Sequence, residues 1–145
     1  MDKKELIENI KNHFPDEVID GKIIKEKRIT VDIKPRAILK VAEHLYKNLR
    51  LRFIIASGFH TKKGFEIMYH FSDDETGNII NIHVVLPKEK PEIETLANMF
   101  SGANWIEREI HEILGITFLN HPEPEKLLSD GHWAEGIYPY RKEFK

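Results

Sequence analysis

The sequence predicts an α+β fold, a two-layer sandwich in which a mixed, mostly antiparallel sheet of about five strands carries helices on one face. Three observations predict it. Runs with a two-residue alternation of apolar and polar side chains cluster mid-chain, runs with helical spacing flank them, and turn chemistry separates the two kinds. The 145 residues suit one domain able to bury about two-thirds of its unfolded surface.

Asp2 and Glu5 form a capping-box signature, with Leu6, Ile7, Ile10 and Phe14 following at helical spacing, so a first helix is expected over about 3 to 13, before Pro15. Residues 17–33 hold two β-rich runs, EVIDGKIIKE and RITVDI, most simply a strand pair, ended by Lys34-Pro35. PRAILKVAEHLYKNL sets Ile38, Leu39, Ala42, Leu45, Tyr46 and Leu49 at helical spacing behind a proline suited to a helix start. LRFIIASGFH, FEIMYHF and IINIHVVL then read as a meander, parted by TKKG and SDDETGN. Phe65, Ile67, Tyr69 and Phe71 alternate with Glu66, Met68 and His70, and Ile80, Ile82, Val84 and Leu86 alternate with Asn81 and His83. One sheet face should therefore pack on helices while the other is mixed. After the charged connector PKEKPE, EIETLANMF and GANWIEREIHEIL read as two successive helices, the second closed by Gly115. The expected order is α-β-β-α-β-β-β-α-α.

Beyond Gly115 the pattern changes. Residues 116–145 show no sustained period, yet carry Phe118, Leu127, Leu128, Trp133, Ile137, Tyr138, Tyr140 and Phe144, too apolar for a disordered tail. The expected organisation is an α+β domain over 1–115 and an irregular C-terminal docking arm of the same domain over 116–145.

Composition excludes several function classes. There is no cysteine, so this chain holds no disulfide, cysteine nucleophile or cysteine-ligated iron–sulfur or zinc site. With 22 basic and 24 acidic residues the formal charge is −2, and the chain as a whole is not an electrostatic binder of phosphate backbones. LYKNLRLRF and YRKEFK are short basic runs with interleaved aromatics, the weak form of a nucleic-acid signal. No nucleic-acid partner is expected. No window approaches the roughly 18 apolar residues of a membrane span, and MDKKELIENIKNHF lacks the apolar core of a secretory signal. A cytoplasmic chain without direct membrane insertion is the expectation. Neither a G-x-S-x-G elbow nor a glycine-rich phosphate loop occurs, so serine hydrolysis and dinucleotide binding have no support.

The eight histidines are the remaining candidates for chemistry. His111, His121 and His132, near Glu112, match no compact metal spacing, and His111 reads more simply as an exposed ion pair with Glu107 one turn earlier. His70 and His83 fall on the same mixed sheet face, where an acid or base could sit, although solvated or partner-facing histidines are the simpler reading. A stand-alone small enzyme using His70, His83 or His111 as acid or base is the alternative function.

ANWIEREIHEILG is more informative. As a helix it places Ile106, Ile110, Ile113 and Leu114 on one stripe with Arg108 opposite, and it leaves Trp105 beside Arg108, Glu109 and Glu112 on the wet side. Glu107 and Glu109 flank the stripe about 160° apart, so they cannot converge on one substrate and suit clamps at the helix edges. Arg108 and Glu112, one turn apart, are expected to pair. Trp105 and the arm need a second surface, supplied either by the arm folding back or by another chain.

The run WIEREIHEILGITFLNHPEPEKLL, followed by WAEGIYPYRKEF, resembles the signature of the 30 kDa subunit family of respiratory complex I, also called the C subunit of NADH-quinone oxidoreductase, and of its counterparts in membrane-bound nickel–iron hydrogenase complexes. The matching positions are Glu107-Arg108-Glu109, Glu112, Gly115-Ile116, Phe118, His121-Pro122, Leu127-Leu128, Trp133, Pro139, Arg141 and Lys142. Glu125, Tyr140 and Glu143 depart from the family, which usually has a basic residue, leucine and aspartate there. The resemblance implies a non-catalytic scaffold subunit without a cofactor of its own. It would dock the hydrogenase-like large subunit, of the 49 kDa type, to iron–sulfur subunits, and lie at the inner face of the membrane through those partners. On that reading Trp105, Phe118, Trp133 and Tyr138 line the docking surface. Glu107, Arg108 and Glu109 fix the helix and arm, and His121, Arg141 and Lys142 act as polar anchors.

Overall fold

In the computed structural model residues 2–123 are described. Trp133, Tyr138, Arg141 and Lys142 lie outside the described residues, as does His132. Helix α1 (Lys3–His13) starts where the Asp2 carboxylate accepts the Glu5 N–H at 2.8 Å, and it buries Leu6, Ile7 and Ile10. Strands β1 (Val18–Lys25) and β2 (Arg28–Ile33) follow as an antiparallel pair. Helix α2 (Ile38–Glu43) is entered through a 3-10 turn over Pro35–Ala37 and left through a π turn over His44–Asn48. Tyr46 and, two turns earlier, Leu39 are exposed although the sequence groups them with buried Ile38, Ala42 and Leu45: both lie on the same outer flank of the helix.

Strands β3 (Arg52–Thr61), β4 (Gly64–Asp73) and β5 (Asn78–Leu86) form the meander. The spatial order is β1-β2-β5-β4-β3, with every neighbour antiparallel except β2 and β5, which run parallel from Arg28 beside Ile79 to Asp32 beside His83. The sheet is thus mixed and mostly antiparallel, as the sequence predicts. Its inner face is the apolar half of each alternation: Ile29, Val31 and Ile33; Phe65, Ile67, Tyr69 and Phe71; Ile80, Ile82, Val84 and Leu86. The helices cover this face.

The run 92–100 differs from the expected helix. Glu92–Glu94 is a short strand, β6, and a turn follows in which Met99 and Phe100 donate to the Leu96 carbonyl. Ile93, Leu96 and Phe100 do have helical spacing, but so short a segment is marginal as a helix by itself. Tertiary partners decide instead: β6 pairs in parallel with β7 (Thr117–Leu119), and Thr95 and Leu96 bond to helix α3 (Ser101–Leu114). The stretch just after Gly115 is therefore regular, with Ile116 and Phe118 buried in the core. Gly115 closes α3 in the left-handed region at φ 80°, where its N–H donates to the His111 carbonyl at 2.8 Å.

Candidate functional site

Helix α3 is amphipathic, but its buried stripe is not purely apolar. Ala103, Glu107, Ile110 and Leu114 face inward at i, i+4, i+7 and i+11, so one of the signature carboxylates lies in the core, only 1% exposed. The Glu107 carboxylate accepts the Thr95 hydroxyl and the Leu96 N–H, the latter at 2.9 Å. It ties α3 to the turn after β6, the clamp that its place on the helix suggests. Burial pushes its pKa up to about 7 against those two hydrogen bonds. His121 approaches to 3.8 Å from the other side. Its Nε2 donates to the Asn104 carbonyl at 3.2 Å while its Nδ1 accepts the Glu123 N–H at 2.9 Å. That pair of contacts fixes the neutral tautomer, and burial lowers the pKa in the same sense.

A neighbour of this clamp corrects one expectation. His111 is not an exposed ion pair with Glu107: its Nδ1 donates to the Ile116 carbonyl at 2.9 Å and helps turn the chain after Gly115. Arg108 makes an ion pair with Glu123 at 3.5 Å, and Glu112, one turn further along α3, is buried. The structure thus brings Glu107, Arg108 and His121 together around residues 117–123. Phe118 is buried beneath them. Glu109 stands apart, on the side of α3 that faces β3.

That side is open. A groove of about 570 Å³ runs between α3 and the outer edge of β3, walled by Ile55, Ser57, Phe59, Ile106, Glu109 and Ile113. Gly58 lets the two elements close beneath it, since a Cβ there would lie 3.1 Å from both Ile110 and Leu114. A second, shallower hollow of about 720 Å³ lies between the starts of β3 and α3, among Tyr46, Lys47, Arg50, Arg52, Phe53 and Phe100. Phe53 stacks on Phe100 at 5.1 Å between ring centres, and Tyr46 meets the same ring edge-on at 5.2 Å. Ile54, Ile55 and Phe59 on β3 are 39%, 46% and 48% exposed, and Trp105 is 56% exposed, as its place on α3 suggests, whereas Glu112, read beside it on the wet side, is buried.

His70 and His83 do share the outer sheet face, where Met68 pairs with His83 and His70 with Asn81. His83 has both ring nitrogens engaged, Nδ1 with Asp32 at 2.8 Å and Nε2 with Glu66 at 2.6 Å. Glu66 also accepts the Thr61 hydroxyl. Burial raises the Glu66 pKa, but the Thr61 and His83 bonds outweigh it and the net shift is downward. His70 Nδ1 lies 2.6 Å from the Asn81 amide oxygen, and the Asn81 amide donates to Thr30. These contacts cross-link β2, β4 and β5. The sequence reading misses both the His83 cross-link and the internal place of Glu107. The second has a signal, a glutamate at i+4 and i−3 from buried Ala103 and Ile110, whereas the first depends on the parallel β2–β5 register.

Comparison with known proteins gives a consistent set of relatives. Residues 31–145 match the family model described as respiratory-chain NADH dehydrogenase, 30 Kd subunit. The chain is 29% identical over 148 residues to the C subunit of the F(420)H(2) dehydrogenase of Methanosarcina mazei, covering 100% of this chain and 93% of that protein. It is 29% identical over 138 residues to the C subunit of the NADH-quinone oxidoreductase of a Chelativorans species, covering 88% of this chain and 68% of that one. A chain in the membrane-bound sulfane sulfur reductase, described as an archaeal respiratory membrane complex, superposes with a TM-score of 0.75 at 23% identity over 98% of this chain and 85% of its own. That superposition concerns the fold.

Proposed function

Because the chain belongs to the 30 kDa subunit family of respiratory-chain NADH dehydrogenase, we propose that it is a non-catalytic scaffold subunit in the peripheral arm of a complex I-like NADH-quinone oxidoreductase or membrane-bound hydrogenase complex. In this role it docks the hydrogenase-like large subunit to the iron–sulfur subunits and reaches the inner face of the membrane through them. Among the described residues no helix is long and apolar enough to cross a membrane.

The observation that carries the reading is the exposure of large apolar side chains on two neighbouring elements, Trp105 on α3 and Ile54, Ile55 and Phe59 on β3. Large aromatics left in water beside aliphatics are the usual anchors of protein interfaces. Two roles divide the signature residues. Trp105 and Glu109 face outward and would touch a partner. Glu107, Arg108, Phe118 and His121 hold residues 117–123 against α3, just ahead in sequence of Trp133, Tyr138, Arg141 and Lys142.

The test is co-purification of the tagged full-length chain from cells that make the whole complex. It should bring down the large subunit, and Trp105→Ala or Arg141→Ala should weaken that association. Trp105→Ala removes an exposed side chain, so it should move the unfolding free energy of the isolated chain by no more than about 0.5 kcal/mol. Full assembly of both variants would end the docking assignment.

A further inference from the structure

We propose that the outer edge of β3 accepts an extended segment of a partner subunit as a sixth strand, one whose middle is apolar and whose two ends are acidic. The proposal deepens the docking reading above and rests on it.

The sheet has two edges, and they are built differently. β1 is interrupted by irregular pairing near both its ends, between Val18 and Asp20 and between Ile23 and Lys25, and it carries Asp20, Lys22 and Lys25 along its length. Bulges and charges are how edge strands refuse further pairing. β3 has ten residues and a single irregularity, between Phe53 and Ile55, and from Phe53 through Thr61 it contains no Asp, Glu, Lys or Arg. Among the described residues its backbone pairs with β4 alone. A long, uncharged, unblunted edge with exposed Ile54, Ile55 and Phe59 is a template for one more strand, and strand addition is a standard mode of recognising an extended peptide.

The surroundings specify what that strand carries. Alternate side chains of an added strand would enter the groove against Ile106 and Ile113, which calls for aliphatic or aromatic residues there. Glu109 stands in the groove wall and disfavours a carboxylate in the middle of the guest. The ends are the reverse. Lys47, Arg50 and Arg52 gather where β3 begins, and Lys62 and Lys63 form the two-residue turn where it finishes. Arg52 is already held bidentately by Asp74 and Lys47 pairs with Glu43 at 3.2 Å, leaving Arg50 as the cation at the first end for which no carboxylate partner is seen among the described residues. The basic–aromatic run of the sequence that no nucleic-acid role absorbs thus becomes one anchor of a protein-binding edge.

Hydrogen exchange on the chain alone and in the purified complex tests this. Amides within 52–61 should exchange at least about tenfold more slowly in the complex, where the outward-facing N–H groups gain acceptors. Zero-length carbodiimide cross-linking should join Lys62 or Lys63 to Asp or Glu residues of another subunit. Phe59→Asp should reduce retention in the complex about tenfold or more. Arg50→Gly should weaken it as well, and since Arg50 sits at φ 57°, a backbone conformation glycine adopts freely, loss there would not reflect unfolding. A complex that forms with unchanged exchange over 52–61 overturns the strand addition and leaves docking intact. Protection accompanied by cross-links to residues 124–145 or to a second copy overturns the assignment of a partner segment. A chain that never enters the complex overturns the docking reading itself.

Discussion

At the scale of single residues the core contains a titration. Glu107 has an ordinary value of 4.5 and a folded value of about 7, with burial the main cause. Below 4.5 it is protonated whether the chain is folded or not. Between 4.5 and about 7 the folded chain keeps a proton that the unfolded chain loses, so stability falls as pH rises, and above 7 the loss is complete, at about 3 kcal/mol. His121 works in the other direction, since its depressed value removes stability as pH falls. Comparison with Glu107→Gln isolates the first effect: urea unfolding at pH 5 and pH 8 should show the wild type losing about 2 to 3 kcal/mol relative to the variant. Parallel profiles would mean that Glu107 ionises like a surface carboxylate. Tyr69 offers a simpler case. Its hydroxyl is fully buried and has no hydrogen-bond partner among the described residues, and burial with the nearby Glu107 charge raises its pKa well above the usual range. Tyr69→Phe removes an unsatisfied donor at nearly constant shape, so it should leave the thermal midpoint unchanged or raise it, by up to about 1 kcal/mol in free energy. Neither behaviour is legible from residue type alone. A glutamate and a tyrosine become core residues here because periodicity places them there, and that periodicity is present in the sequence.

At the scale of elements, legibility follows how strongly each segment repeats its own pattern. β4 and β5 place an apolar residue at every inward position over Phe65–Phe71 and Ile80–Leu86, and all of these are buried. The 92–100 run has four apolar positions at helical spacing, Ile93, Leu96, Ala97 and Phe100, but it is only nine residues long and its backbone is claimed by β7 and Glu107, contacts that lie more than ten residues away in sequence. Local spacing cannot show that competition. The α3–β3 contact is where an element-level change should be felt most. Gly58 sits under Ile110 and Leu114 with room for at most a slightly strained Cβ. Gly58→Val adds two methyl groups beyond that Cβ and should lower the urea-unfolding free energy by about 1 to 3 kcal/mol through overpacking. Gly102 is the control, since a Cβ there would have nothing within 4 Å. Gly102→Ala should stabilise α3 slightly through helix propensity. If Gly58→Val unfolds at the same urea concentration as wild type, the helix does not rest on the strand as described.

At the scale of the whole molecule the asymmetry of the sheet governs behaviour outside any complex. One edge pairs irregularly near both ends and is charged, the other has a single irregularity and no charged residue from Phe53 through Thr61, while the two exposed apolar stretches, Ile19, Ile23 and Ile24 on β1 and Ile54, Ile55 and Phe59 on β3, are similar in size. If exposed apolar area alone drove self-association, the two edges would contribute alike. If unpaired, uncharged backbone is what matters, the β3 edge dominates, because an incoming strand needs a run of free N–H and C=O groups in register as well as a greasy surface. A single lysine on each edge separates these causes. Phe59→Lys places a charge in the middle of the uncharged run, and Ile24→Lys adds one to an edge already carrying Lys22 and Lys25. Light scattering of the isolated full-length chain on gentle warming should show onset delayed strongly by Phe59→Lys and little by Ile24→Lys. Equal protection by the two would show that the irregular pairing of β1 does not blunt it. The contrast between the edges, on which strand addition to β3 depends, would then have no physical content.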